Sequence, residues 1–167
     1  TLHPIPLINE VKKIFNKTIV LSGCLSNGND IASALQMGAD IAYMGTRFIN
    51  VKESQAEQNY KDMIMRSGAE DIVYTAAVSG VNASFLRPSL EAMGITEEQW
   101  KDTKKIDFGN TSDLAESEAK AWKTIWSAGQ GVSAITDSPK VTDLVLQLKS
   151  EFIEAVESQK KLLDLYS

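Results

Sequence analysis

The chain has 167 residues, of which 43% are hydrophobic and 23% charged, which is the composition of an ordinary globular domain. Its net charge of −5 argues against a nucleic-acid partner, because neutralising phosphates requires clustered Lys and Arg. One cysteine excludes an internal disulfide, and no apolar run reaches the roughly 18 residues of a membrane span. We therefore expect a cytoplasmic protein with no membrane segment and no metal site.

The first half of the chain alternates predicted helices and strands. Helices are predicted over residues 6–15, 31–35 and 56–65, and short apolar strands over residues 18–21, 41–44 and 72–78. The first helix has an apolar face made of Leu7, Ile8, Val11, Ile14 and Phe15. Because short connections link the elements, we expect an α/β fold in which parallel strands are covered by helices.

The second half is predicted to be mostly helical. Short helices are expected at residues 90–93 and 96–100, and a further helix at residues 114–126, with Trp122 and Trp126 packed in the core from one face. Residues 129–131 form a predicted turn. The last predicted helix spans residues 140–163, with an apolar stripe made of Val141, Leu144, Val145, Leu148, Phe152, Ala155 and Val156.

Two glycine turns follow the first two predicted strands. One is centred on Gly23 and the other on Gly45. A residue without Cβ lets backbone amides approach a phosphate, although either turn alone could be an ordinary connection. Two such turns at neighbouring strand ends would form one concave group of amides, as in the phosphate sites of (β/α)8 barrels. The pair therefore predicts a phosphate site.

The residues around these turns resemble a known family. The segment LSGCLSNGNDIASALQMGADIAYMGTRF is similar to the flavin-phosphate region of nitronate monooxygenases, also called the 2-nitropropane dioxygenase family, and YTAAVSGVNASFLRPSL and WSAGQGVSAI resemble later segments of that family. The resemblance covers about residues 1–156. It implies the C-terminal portion of a TIM (β/α)8 barrel with an added mostly helical region, the cofactor FMN, and the oxidation of alkyl nitronates by O2 to a carbonyl compound and nitrite.

The resemblance also implies the residues that bind FMN. The phosphate would be bound by Gly23, Cys24, Gly45 and Thr46, with Tyr43 and Met44 lining the second turn. Cys24 stands where the family usually has a second glycine, and Tyr43 where it often has glutamine. Because these contacts are expected to be made mainly by the backbone, the site should survive both changes.

The catalytic base of the family is a histidine that the resemblance places just upstream of Thr1, so no catalytic residue is expected in this chain. His3 is the only histidine, and we expect it to be solvated or to cap a helix. The chain is thus interpreted as the C-terminal part of a longer protein. Its expected partners are the N-terminal part of the barrel, a nitronate and O2, and open strand edges would favour self-association.

Three parts are expected along the chain: the last β/α units of the barrel at residues 1–80, a helical cap or substrate region at residues 81–140, and a helix packing back on the barrel at residues 141–167. Substrate-facing candidates are Asn82, Ser84 and Gln130, although residues 79–85 could be a plain connecting loop and residues 129–131 a helix stop. Two alternative functions remain: an FMN-dependent enoyl-acyl-carrier-protein reductase and an inactive barrel fragment.

Overall fold

The computed structural model describes residues 2–102 and 124–166. The chain divides into two compact units, one made of Thr1–Gln55 with Asp137–Ser167 and the other of Ala56–Thr136. This division by contacts cuts the chain at different places from the three functional parts expected from the sequence. The functional division itself stays a prediction.

The first unit is an α/β arrangement around two parallel strands. Its elements are α1 (Pro4–Ile14), β1 (Val20–Ser22), α2 (Gly28–Met37), β2 (Ile41–Tyr43), α3 (Thr46–Ile49) and the long helix α7 (Val141–Tyr166). Strands β1 and β2 pair in parallel, with Val20 opposite Ile41 and Ser22 opposite Tyr43. The parallel pairing of the first two strands is therefore predicted correctly.

Helix α2 begins and ends where its sequence signals lie. The Asn27 side chain accepts a hydrogen bond from the amide of Asp30, whose carboxylate accepts one from the amide of Asn27 in return. This capping box satisfies amides that the first helical turn leaves without partners. At the other end Gly38 is left-handed, with φ of 103°, which stops the helix without a Cβ clash.

Among the described residues of the first unit, helices cover only one face of the β1–β2 sheet. Leu21 packs there with Ile8, Ala34 and Ala39 in one buried cluster. The opposite face, here called the open face, exposes three large side chains: Val20 (52% exposed), Ile41 (50%) and Tyr43 (61%). Within the first unit, the described residues form neither a closed barrel nor a second layer over this face.

The apolar face predicted for α1 is only partly correct. Ile8 is buried, whereas Leu7, Ile14 and Phe15 are exposed. Only one turn of α1 covers the β1–β2 sheet, because this sheet has only two short strands. The periodicity predicted the helix correctly but overestimated the surface that it buries within this unit.

The C-terminal helix α7 packs against α2. From its predicted stripe, Leu144 and Leu148 are buried in a cluster with Val51. Val145 is 50% exposed, so its assignment to the buried stripe is wrong. Within the described residues no helix, α7 included, is long and apolar enough to cross a membrane.

The second unit contains α4 (Gln58–Arg66), β3 (Ile72–Thr75), β4 (Ala83–Leu86), α5 (Arg87–Ala92) and α6 (Glu97–Lys101), with a 3-10 turn at Gln130–Ala134. Strand β3 pairs antiparallel with β4, so the expectation that this third strand joins a parallel sheet is wrong. The connection at residues 76–82 is too short for the crossover that parallel pairing requires. It turns instead through Gly80, which has φ of 79°.

The predicted helix at residues 114–126 falls largely on residues 103–123, outside the described part of the chain, and so does Trp122. Trp126 itself is not helical. Its carbonyl accepts a hydrogen bond from the amide of Leu86, and its ring stacks on Tyr60 at a centroid distance of 5.1 Å. Trp126 thus contributes to packing through an extended segment rather than through a helix face.

Candidate cofactor site

The two glycine turns leave the sheet side by side. Ser22 and Tyr43 are partners in the register of β1 and β2, and each is the last residue of its strand. The first glycine turn (residues 23–27) and the second glycine turn (residues 44–46) therefore start from adjacent positions at the carboxyl end of parallel strands. Ligands of α/β proteins bind at this end of the sheet.

The first glycine turn contains two consecutive residues with positive φ. Gly23 has φ of 99° and Cys24 has φ of 61°, and Cys24 is the only non-glycine residue with positive φ among those described. A side chain at a position with positive φ costs conformational energy. This cost accounts for the family's preference for glycine at the position that Cys24 occupies here. The thiol of Cys24 is exposed. The turn closes on Asp30, whose carboxylate accepts a hydrogen bond of 2.7 Å from the amide of Ser26.

The second glycine turn has a different geometry. Gly45 has φ of −108°, outside the left-handed region that favours glycine, and a Cβ added there would meet no atom within 4 Å. Neither the backbone nor the packing of the chain therefore demands glycine at this position. Met44 packs toward the cluster of Leu144 and Leu148, and Thr46 begins α3.

An ion pair between a buried arginine and a half-exposed aspartate follows the second turn in sequence. Arg47 is 3% exposed, and its Nη2 donates to Oδ1 of Asp137 at 2.7 Å. Its Nη1 is 3.4 Å from the main-chain oxygen of the same residue. The guanidinium therefore faces the protein and not the surface of the turn. Sequence reasoning missed this pair because its members are 90 positions apart, although Arg47 stands inside the recognised motif.

His3 lies at the start of α1 and is exposed. Its Nδ1 is 3.4 Å from the amide of Ile5 and accepts its hydrogen bond, so it caps the helix. This is the role that the sequence favours. The expected catalytic base upstream of Thr1 stays a prediction.

The three candidate substrate residues all belong to the second unit. Asn82 is exposed in the β3–β4 connection, and Gln130 is exposed at the first position of the 3-10 turn. Ser84 lies within β4, opposite Tyr74, so the view of residues 79–85 as one loop is wrong. The alternation of Ala83 and Phe85 with polar neighbours is too short to signal a strand by itself. A substrate role for the three residues stays a prediction.

Two titratable groups of the second unit have perturbed pKa values. Burial raises the pKa of Tyr60 to about 12, against the opposing effect of its hydrogen bond to the carbonyl of Ser127. The pKa of Asp71 is lowered, first by the hydrogen bond from the amide of Gly68 and then by the ion pair with Arg87. Both groups take part in contacts that support the fold. The described residues hold no cluster of three potential metal ligands.

The first unit is thus an α/β arrangement in which two parallel strands carry adjacent glycine turns at their carboxyl ends. Comparison with known proteins gives the family. The chain belongs to the nitronate monooxygenase family, whose model matches residues 3–151. That family comprises oxidoreductases, as its name states.

Individual relatives agree with this assignment. A nitronate monooxygenase of Paraburkholderia phytofirmans is 28% identical over 149 residues, which cover 86% of this chain and 40% of the relative. A nitronate monooxygenase of Metarhizium robertsii is 25% identical over 75% of this chain and 36% of its own length. The chain thus spans about two fifths of the curated relatives that it matches.

Solved structures show the same fold. The chain superposes on FabK from Thermotoga maritima with a TM-score of 0.74 at 25% identity, covering 97% of this chain and 52% of that one. A nitroalkane oxidase from Streptomyces ansochromogenes gives a TM-score of 0.69 at 27% identity, with 95% and 46% covered. The chain is therefore similar to about half of each of these larger proteins.

Proposed function

We propose that this chain supplies the phosphate-binding turns of an FMN-dependent nitronate monooxygenase built on a (β/α)8 barrel. The complete enzyme would oxidise alkyl nitronates with O2 to a carbonyl compound and nitrite. One observation carries the proposal: two glycine turns leave adjacent parallel strands, and one of them holds a glycine that the chain itself does not need. Membership of the nitronate monooxygenase family supports the same reaction class.

The residues of the two turns fit a phosphate group. Added Cβ atoms at Gly23 and at Gly45 meet nothing within 4 Å, so space is open above both turns. Backbone amides at such turns can donate hydrogen bonds to phosphate oxygens, and successive amides in a turn form a concave anion site. Amides therefore supply the recognition, because the Arg47 guanidinium is directed to Asp137.

The other residues of the site hold the cofactor in place. Tyr43 is 61% exposed on the open face, where its ring can cover a ligand that extends from the turns over the sheet. Met44 is anchored by packing and fixes the start of the second turn. FMN, when bound, supplies the electron transfer between nitronate and O2. The proton-transferring histidine is expected outside this chain, upstream of Thr1.

The test uses the natural full-length polypeptide that contains this chain. It should bind FMN more tightly than riboflavin, since riboflavin lacks the phosphate, and it should consume O2 and release nitrite with a small alkyl nitronate. Loss of the FMN preference in the wild-type protein would contradict the phosphate site. NADH oxidation coupled to an enoyl thioester, without nitronate turnover, would favour the reductase instead.

The isolated 167-residue chain tests the third alternative, an inactive fragment. We expect it to bind FMN weakly and not to turn over nitronates, because the base and the flavin-ring contacts are expected from the rest of the protein. Nitronate turnover by the isolated chain at the rate of the full-length protein would show that the chain carries its own base.

A further inference from the structure

Helix α7 supports the first glycine turn through α2. The amide of Gly28, the first residue of α2, donates a hydrogen bond of 2.7 Å to Oε2 of Glu151. A Cβ on Gly28 would lie 2.3 Å from the amide nitrogen of Phe152 and 2.5 Å from the carbonyl oxygen of Leu148. The two helices thus meet backbone to backbone at the point where the first turn ends.

The same helix supports the second glycine turn. Met44 and Phe48, which flank the turn, pack toward the cluster that Val51 forms with Leu144 and Leu148 of α7. These apolar contacts hold the flanks of the turn, but they do not fix the direction of its amides.

Hydrogen bonds restrict the remaining movement of the second glycine turn. The segment leading into α7 is bound at three places to the segment after β2: Arg47 to Asp137, the amide of Lys52 to the carbonyl of Pro139 at 2.9 Å, and the amide of Val141 to Glu53 Oε2 at 3.0 Å. Arg47 contributes the contact nearest to the turn, only two positions after Gly45. Because the Arg47 side chain is almost fully buried and its hydrogen bond to Asp137 is charge-assisted, the pair constrains the backbone of the turn.

We propose that Arg47 with Asp137, and Glu151 with Gly28, are positioning residues that hold the two glycine turns at the separation a flavin phosphate requires. The inference rests on the proposed function, because it presumes that both turns bind one phosphate. Arg47 need not touch the ligand, because its side chain is 3% exposed and its guanidinium is bonded to Asp137. These residues therefore affect the binding of the phosphate group alone, because other residues bind the isoalloxazine ring.

The experiment measures dissociation constants for FMN and riboflavin by quenching of flavin fluorescence in the full-length protein. Arg47→Met removes the ion pair and keeps an apolar stem of similar length. The FMN constant should rise about tenfold, equivalent to 1.4 kcal/mol, while the riboflavin constant stays unchanged. Arg87→Met is the matched control, because it removes the Arg87–Asp71 ion pair of the second unit and should alter neither constant.

A second pair of variants guards against misfolding of Arg47→Met. Glu151→Ala removes the acceptor of the Gly28 amide and should also lower FMN affinity selectively, whereas Glu151→Gln keeps an acceptor oxygen and should restore it. Variants that weaken FMN and riboflavin equally, or neither, overturn the inference while leaving FMN binding intact. A wild-type protein without preference for FMN over riboflavin would instead overturn the proposed function, and the inference with it.

Discussion

Gly23 and Gly45 both follow a strand, but only Gly23 has a backbone that favours glycine. Its φ of 99° is strained for any residue with a side chain, whereas Gly45 at −108° is not. A methyl group would meet no atom at either position. Alanine substitution therefore tests the need for a left-handed backbone at Gly23 and the need for open space above the turn at Gly45.

We expect Gly45→Ala to leave the free energy of unfolding within about 0.5 kcal/mol of wild type, because nothing in the chain is displaced. The methyl group would occupy the space above the turn, and FMN affinity should fall about tenfold while riboflavin affinity is retained. Gly23→Ala should instead cost about 1 kcal/mol of stability. Urea unfolding measures the stability of both variants, and flavin titration measures their affinities. An unchanged FMN affinity in Gly45→Ala would contradict the phosphate site.

Cys24 provides a chemical probe of the same site, because it is the only cysteine and its thiol is exposed. FMN bound at the turns should slow the reaction of Cys24 with a thiol reagent by about tenfold or more, in proportion to occupancy. The rate is followed by absorbance in the full-length protein, with any upstream cysteines replaced. Riboflavin is the control, and equal rates with and without saturating FMN would place the flavin elsewhere.

Asp71 should make the second unit sensitive to acid. Its folded pKa is lowered from 3.8, chiefly by the hydrogen bond from the Gly68 amide. A carboxylate with a depressed pKa stabilises the fold above its unfolded pKa and loses that effect as pH falls through the folded value. Asp71→Asn should therefore lower stability at neutral pH, and the difference from wild type should shrink as the pH falls below the ordinary pKa of an aspartate. Urea unfolding from neutral pH into acid checks this, and a difference that does not shrink in acid would contradict it.

At the scale of single residues, the sequence predicts where the residues of the two glycine turns lie. It predicts few of the contacts that support these turns. Gly23, Cys24, Gly45 and Thr46 reach adjacent strand ends because strand and turn signals are local. The Arg47–Asp137 pair has no local signal, since its partners meet only after 90 residues of chain have folded back.

Among the elements, the α2–α7 contact depends on Gly28, which lies before the start of the helix predicted at residues 31–35. The position of Gly28 against the backbone of Phe152 and Leu148 leaves no room for a side chain, and backbone atoms cannot move aside independently. The helices therefore approach more closely than any other residue at this position would permit.

Gly28→Ala should consequently destabilise the chain by about 2–3 kcal/mol, the cost of overpacking at a rigid contact. Urea unfolding measures the loss, and Gly45→Ala is the matched control with the same chemical change at an open position. A Gly28→Ala variant as stable as wild type would mean that α2 and α7 can separate without cost.

Apart from the four-residue helix α3, the elements of the first unit could be predicted because apolar strands and capped helices alternate with clear stop signals. The pairing of β3 could not, because an apolar run does not reveal the direction of its neighbour, and its partner β4 is four residues long. The seven-residue connection excludes a parallel crossover, but its length becomes apparent only once β4 is known.

At the scale of the whole molecule, the described residues of the first unit leave apolar surface uncovered. Val20, Ile41 and Tyr43 share the open face of the sheet, and the matched relatives are more than twice as long as the chain. We propose that the remaining part of the barrel covers this face in the complete protein, since apolar patches of folded proteins are usually buried against a partner.

In isolation, the chain should therefore self-associate, and a separately expressed upstream part of the protein should bind it and suppress this. Ile41→Lys should weaken both interactions by about tenfold or more, because a charge on an apolar interface costs at least 1.4 kcal/mol. Leu146→Lys changes an equally exposed residue on α7 and serves as the control. Sedimentation velocity gives the result, and a strictly monomeric wild-type chain that ignores the upstream part would contradict the prediction.

The hydrogen bond between Gly28 and Glu151 has a consequence for the order in which the protein is made. Its partners are 123 residues apart, so a ribosome adding about 5–20 residues per second separates their synthesis by roughly 6–25 seconds. The second unit is continuous in sequence and is synthesised in between. Nascent chains thus carry both glycine turns well before the helix that supports them exists, and flavin loading should begin only when translation of the chain is nearly complete.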